Sequence, residues 1–119
     1  MMCYEKPQVM AAVNGAAMVT ADGMPVVWLQ RKRGVAAAER VYGPDVMQAL
    51  CERTANSQVK HYFWGGENGV AAALASRLKA QFPGLHVAGS HAPPVAPLGS
   101  EPDEDAIRRL NYSGAEVFW

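Results

Sequence analysis

Asp22 and Arg40 are the residues whose types and settings best suit chemistry on a phosphorylated substrate. Asp22-Gly23 follows an apolar run, Ala16-Ala17-Met18-Val19, and precedes Pro25. Proline fits the first helical turn because its missing N–H would have no intrahelical partner there. Asp22 should therefore stand between the end of a strand and the start of a helix. Arg40 lies just ahead of a second such turn, Gly43-Pro44-Asp45. At these places a carboxylate can act as a general base and a guanidinium can neutralise phosphate. Each also has a plainer role. Asp22 could cap the following helix, and Arg40 could form a surface ion pair with Glu39 or Asp45. A helix N-terminus holds a carboxylate in its charged form and weakens it as a base, whereas burial by substrate works the other way.

Three further groups stand out. Gly65-Gly66-Glu67-Asn68-Gly69 follows an aromatic stretch and opens a helical pattern. Bare N–H groups there could bind phosphate or a uracil ring, or simply make a tight strand-to-helix turn. The pattern G-x-G-x-x-G is not met. The next strand ends in Gly89-Ser90-His91, with no acid for a ribose hydroxyl, which argues against an NAD-type oxidoreductase. Asp103-Glu104-Asp105 is formally an Asp-x-Asp, but acids in a first helical turn also complement the helix dipole. His61, His86 and His91 are scattered. His91 sits where a site loop should begin and could touch substrate, or be an ordinary loop histidine.

The elements that must position these residues follow from periodicity and punctuation. Pro7 to Asn14 reads as a short helix and Ala16 to Thr20 as a buried strand. Met24 to Arg33 reads as a helix closed by Gly34, with a basic run, Arg31-Lys32-Arg33, at its end. Val35 to Tyr42 fits either a helix or a loop. Pro44 to Asn56 is a helix with Val46, Met47, Leu50, Cys51 and Thr54 on one face. Val59 to Trp64 is a strand. Glu67 to Phe82 is a helix expected to bury Val70, Leu74, Leu78 and Phe82, and Pro83-Gly84 stops it. Leu85 to Gly89 is a short strand, His91 to Pro102 a proline-rich loop, Asp103 to Ser113 a helix and Ala115 to Trp119 a last strand. Strands alternating with helices predict an α/β fold with a mainly parallel, Rossmann-like sheet and helices on both faces. Ligands bind such sheets at the carboxyl ends of the strands, where Asp22, Gly65-Gly66 and Ser90-His91 fall.

Composition narrows the function. The 119 residues suit a single domain, half apolar, with eleven basic and eleven acidic side chains that cancel. This balance does not suggest a nucleic-acid binder. Cys3 and Cys51 lack metal-ligand spacing and read as reduced thiols. No apolar stretch approaches the roughly 20 residues of a membrane span. With no signal-peptide layout at the N-terminus, the expected location is cytoplasmic, with contact to the inner membrane face left open.

An ordered series of motifs closely resembles the WecG/TagA/CpsF family of bacterial glycosyltransferases. It comprises Asp22-Gly23-Met24-Pro25 with Val27-Trp28, then Glu39-Arg40-Val41-Tyr42-Gly43-Pro44-Asp45. It continues through Phe63-Trp64-Gly65-Gly66, Phe82-Pro83-Gly84-Leu85 and Pro93-Pro94 to Leu110-Asn111-Tyr112-Ser113-Gly114, over nearly the whole chain. The resemblance implies sugar transfer with inversion, without a cofactor or required metal. The donor would be a UDP-sugar of N-acetylmannosamine type and the acceptor a polyprenyl-diphosphate-linked saccharide, in cell-surface polysaccharide or teichoic acid synthesis. It further implies peripheral membrane contact of the full-length proteins and is compatible with a homo-oligomer. The family's proposed catalytic acid stands at Asp22 and its functionally important arginine at Arg40. Gly65, Gly66, Asn68 and Gly69 would line the nucleotide site, and His91 would contact substrate. Where the family often has an aromatic residue and an arginine after Pro93-Pro94, this chain has Val95-Ala96. Family members also have an earlier segment with a Thr-x-Asn motif, and a Gly-rich loop with Pro-Lys-Gln-Glu followed by an appendage. Neither segment is present here, so a truncated member is expected, and a non-catalytic nucleotide-binding fragment is the alternative.

Overall fold

The computed structural model describes residues 6–95 and 103–119. Cys3, Glu5 and the 96–102 part of the proline-rich loop, including Ala96, lie outside the described residues. The chain divides into two compact units, Met1–Asp45 and Val46–Trp119.

In the first unit, α1 (Pro7–Gly15) and α2 (Met24–Lys32) each begin with a proline in the first turn. Arg33, Gly34 and Val35 end α2 in a Schellman turn. Gly34 adopts φ +96°, its N–H donates to the Arg31 carbonyl, and the Val35 N–H donates to the Gln30 carbonyl. The strand expected over Ala16 to Thr20 does not form. Met18 and Val19 are 78% and 62% exposed, and no strand pairs with them among the described residues. Just after this segment, the Val41 N–H donates to the Ala21 carbonyl. Val35 to Tyr42 is irregular, which resolves the choice in favour of a loop. The small core consists of Ala21, Val27 and Ala38.

The unit boundary falls in the first turn of α3 (Gly43–Thr54), and the second unit carries the sheet. Strands β1 (Lys60–Trp64), β2 (His86–His91) and β3 (Val117–Phe118) lie in the order β2-β1-β3, all parallel, with α4 (Val70–Gln81) and α5 (Glu104–Tyr112) between them in sequence. This is the expected α/β arrangement. The bulky side chains of β1 suit a half-buried pleated surface. Phe63 is the centre of the core, with Cys51 of α3, Ala71, Ala75 and Leu78 of α4, and Leu85. The buried face of α4 differs from expectation: alanines 71 and 75 face the sheet, Leu74 and Phe82 are half-buried, and Val70 is exposed. Small residues let the helix approach closely, and Phe63 fills the space they leave.

β1 is fastened at its buried end by His61. The Trp119 indole N–H, which can only donate, bonds to His61 Nδ1 at 3.0 Å. His61 Nε2 therefore carries the proton and donates to Thr54 Oγ1 at 2.8 Å, and Thr54 Oγ1 donates to the Leu50 carbonyl at 2.7 Å. Burial disfavours the charged imidazole and lowers the His61 pKa below its ordinary value. Burial likewise raises the Cys51 thiol, which keeps it protonated and inert.

Candidate functional site

Asp22 and Arg40 are 18 residues apart and meet in the first unit. The Arg40 Nε–H donates to the Asp22 carbonyl oxygen at 2.6 Å, and Nη2 lies 3.5 Å from Oδ1. The guanidinium also sits 4.7 Å from the centre of the Tyr42 ring, a cation–π distance. Both side chains are largely exposed, at 68% and 48%. The capping role for Asp22 is not what the structure has. Gly23 occupies the N-cap position of α2, no side chain caps that helix, and the Asp22 carboxylate pairs with Arg40 instead. Nor does Arg40 pair with Glu39 or Asp45.

The loop that delivers Arg40 is tied down by a residue first read as one of a basic run. The Arg31 Nε–H donates to the Ala38 carbonyl at 2.8 Å, and the Ala38 N–H donates to the Val35 carbonyl. Arg31 thus pins residues 35–38 to the end of α2, and Ala38 is buried with Val27. Arg40 follows two residues later. The i to i+7 spacing of Arg31 and Ala38 carries no local signal that would have shown this.

In the second unit, β1 passes into α4 through the glycine turn. Gly65, Gly66 and Gly69 all have positive φ, at +112°, +73° and +89°. A Cβ at Gly66 would lie 2.9 Å from Val70 Cγ1, so glycine is required there on both counts. These conformations are why α4 begins at Val70 and not at Glu67. Gly69 is its N-cap, in the left-handed region, with no side chain capping the helix. The Gly65 N–H donates to the His91 carbonyl at 2.9 Å, joining the carboxyl ends of β1 and β2. The pairing of Trp64 with His91 carries β2 past the expected end at Gly89, so His91 is a strand residue and not a loop residue.

Asn68, Gly69, Ser90 and His91 line a cavity of about 360 Å³ at this mouth. Gly66, Asn68, Pro93 and Pro94 line a neighbouring cavity of about 600 Å³. The His91 ring packs on Trp64 at 4.7 Å between centroids, and its Nε2 is buried without a hydrogen-bond partner among the described residues. Gly65, Gly66, Asn68, Gly69 and His91 therefore gather at one sheet end, where backbone N–H groups, an amide and an imidazole can meet a polar ligand. Asp103, by contrast, is a helix cap: its Oδ1 accepts from the Ala106 N–H at 2.9 Å.

The first unit thus sets a carboxylate beside a guanidinium, and the second, by itself, sets a glycine turn at the carboxyl end of a parallel sheet. The model of the glycosyl transferase WecG/TagA/CpsF family matches residues 1–119, and the chain belongs to this family. It is similar to the N-acetylglucosaminyldiphosphoundecaprenol N-acetyl-beta-D-mannosaminyltransferase of Bacillus spizizenii, with 27% identity over 85 residues. That match covers 71% of this chain and 33% of the relative, so the chain spans about a third of the enzyme it resembles. Among the described residues, no helix is long and apolar enough to cross a membrane.

Proposed function

We propose that the chain carries part of the machinery for transferring an N-acetylmannosamine-type sugar from a UDP-sugar to a polyprenyl-diphosphate-linked saccharide, at the inner face of the cell membrane. The Asp22–Arg40 pair carries the reading. Asp22 takes the proton from an acceptor hydroxyl as that oxygen attacks the anomeric carbon. The bond from that carbon to the phosphate oxygen breaks, UDP leaves, and the configuration inverts. Arg40 neutralises the charge that develops on the departing diphosphate, a role its planar fork of donors suits. No metal is needed when a guanidinium serves there. The glycine turn and His91 receive the nucleotide through backbone N–H groups and the imidazole. Arg31 holds the loop that keeps Arg40 beside Asp22.

The fragmentary match to the relative favours a second reading, a nucleotide-binding piece that needs further segments for turnover. Calorimetric titration of UDP into the folded chain with EDTA present, followed by a transfer assay, separates the two. Saturable binding with turnover supports the enzyme, and Asp22→Asn should then lower kcat by about 100- to 10,000-fold with UDP affinity retained. Binding without turnover leaves the fragment reading. A folded chain that does not bind UDP rejects both.

A further inference from the structure

Among the described residues, one buried side-chain nitrogen or oxygen has no hydrogen-bond partner, His91 Nε2. Such an atom is costly, and a ligand or water ordinarily satisfies it. The rest of His91 is held in place. Its carbonyl accepts the Gly65 N–H at 2.9 Å, and its backbone pairs in parallel with Trp64. Its ring rests on the Trp64 indole, 4.7 Å between centroids and tilted by 53°. The imidazole thus has a fixed orientation in the wall of the cavity of about 360 Å³ that it lines with Asn68, Gly69 and Ser90. A fixed, unpartnered nitrogen in a cavity wall marks a place where a bound molecule supplies the partner.

The lining indicates which part of a nucleotide that is. Its polar side chains are Asn68, Ser90 and His91, and no lysine or arginine is among its described residues. A diphosphate ordinarily draws a cationic side chain to it. The uracil ring instead presents an N–H donor between two carbonyl acceptors along one edge. An amide, a hydroxyl and an imidazole can each supply a donor or an acceptor, and so match that edge without a charge. The volume lies within the roughly 300–1,000 Å³ of small-molecule sites. The adjoining glycine turn offers backbone N–H groups, which suit phosphate oxygens.

We propose that this cavity reads the base of the nucleotide, with His91 Nε2 and the Asn68 amide hydrogen-bonded to the edge of uracil that carries O4 and the N3 proton, and Ser90 beside them. The assignment rests on the UDP-sugar reading and divides its site in two. His91 selects the nucleobase, and the glycine turn holds the phosphates.

The test is calorimetric titration of uridine, 3-methyluridine and inorganic diphosphate into the folded chain. Uridine should bind saturably, and 3-methyluridine, which lacks the N3 proton, about tenfold more weakly. His91→Phe keeps a ring against Trp64 and removes the nitrogen, so it should weaken uridine about tenfold and leave any diphosphate binding unchanged. Asn68 is exposed, so Asn68→Ala, expected to weaken uridine by a smaller factor, should fold even if the His91 variant does not. A folded chain that does not bind uridine overturns the proposal, as does equal affinity for uridine and 3-methyluridine. So does a folded His91→Phe protein with undiminished uridine affinity; loss of diphosphate binding in its place would make the cavity a phosphate site. Uridine carries neither a phosphate nor a transferable sugar. A chain that binds it in this way but transfers nothing would support the base site and count against the transfer reading alone.

Discussion

The two regions that gather the candidate residues are built on opposite plans. In the first unit the chemistry is in side chains, Asp22 and Arg40, and what holds them is a side chain reaching a backbone carbonyl: Arg31 to Ala38, then Arg40 to Asp22. The core beneath consists of two alanines and a valine. In the second unit the candidate groups are mostly backbone, and what holds them is a parallel sheet with Phe63 and α4 packed against it. A side-chain site on a loop can be erased by one substitution with little effect on folding. A backbone site can be erased only by changing the conformation of the chain.

The largest expected effect breaks the second plan at its centre. Phe63→Ala removes a fully buried ring and should destabilise the protein by about 3–5 kcal/mol in urea unfolding. The matched truncation in the first unit, Val27→Ala, should cost only about 1–2 kcal/mol, since it removes two methyl groups. Equal losses would mean that the two cores do not differ as described.

Gly66→Ala comes next. It places a side chain at positive φ and against Val70, which should cost about 2 kcal/mol and lower UDP affinity together with stability. A variant that lost neither would show that the turn is not held by its backbone.

The pH dependence of the second unit follows from His61. Its folded pKa is depressed, so the unfolded chain takes up the proton first. The neutral form is retained in full above about pH 6.5, the ordinary histidine value, and stability falls as the pH drops below that, by at most about 1.4 kcal/mol per pH unit from this group. His61→Gln should flatten that fall, measured as the urea midpoint between pH 7 and pH 5. An unchanged slope would remove His61 from the account.

The smallest effect sharpens the first plan. Arg31→Ala removes one hydrogen bond to a carbonyl and should cost about 1 kcal/mol of stability. Its effect on any transfer activity should be much larger than its effect on folding, because the loop carrying Arg40 loses its tie. Comparable losses in both would make Arg31 merely structural.

Local signals carried most of the fold. Pro25 and Pro44 marked helix starts, Gly34 marked a helix end, and the β1 aromatics marked the central strand, each through chemistry confined to a few residues. The expectation of a strand at Ala16 to Thr20 failed because an apolar run says that a segment can be buried, not that a partner strand stands beside it. The start of α4 was placed too early because helical spacing from Glu67 onward says nothing about φ at Gly69. Gly65 to Gly69 and His91 could be picked out individually, since strand ends in parallel sheets are where ligands go. The Arg40–Asp22 contact, the Arg31 tie and the Thr54–His61–Trp119 chain of hydrogen bonds each join residues of different elements or loops, so no periodicity within one element signals them. Only the folded chain reveals such pairs.

The strand order β2-β1-β3 has a consequence for how the second unit acquires its structure. With every neighbour parallel, the sheet contains no hairpin, and each pairing must close a long loop before any ladder bond forms. The β1–α4–β2 segment closes the shorter loop and holds most of the core. It should be formed in the folding transition state, with β3 joining afterwards. Mutations at Leu78 should then slow folding, whereas Trp119→Phe should mainly speed unfolding, a difference that stopped-flow chevron plots would resolve.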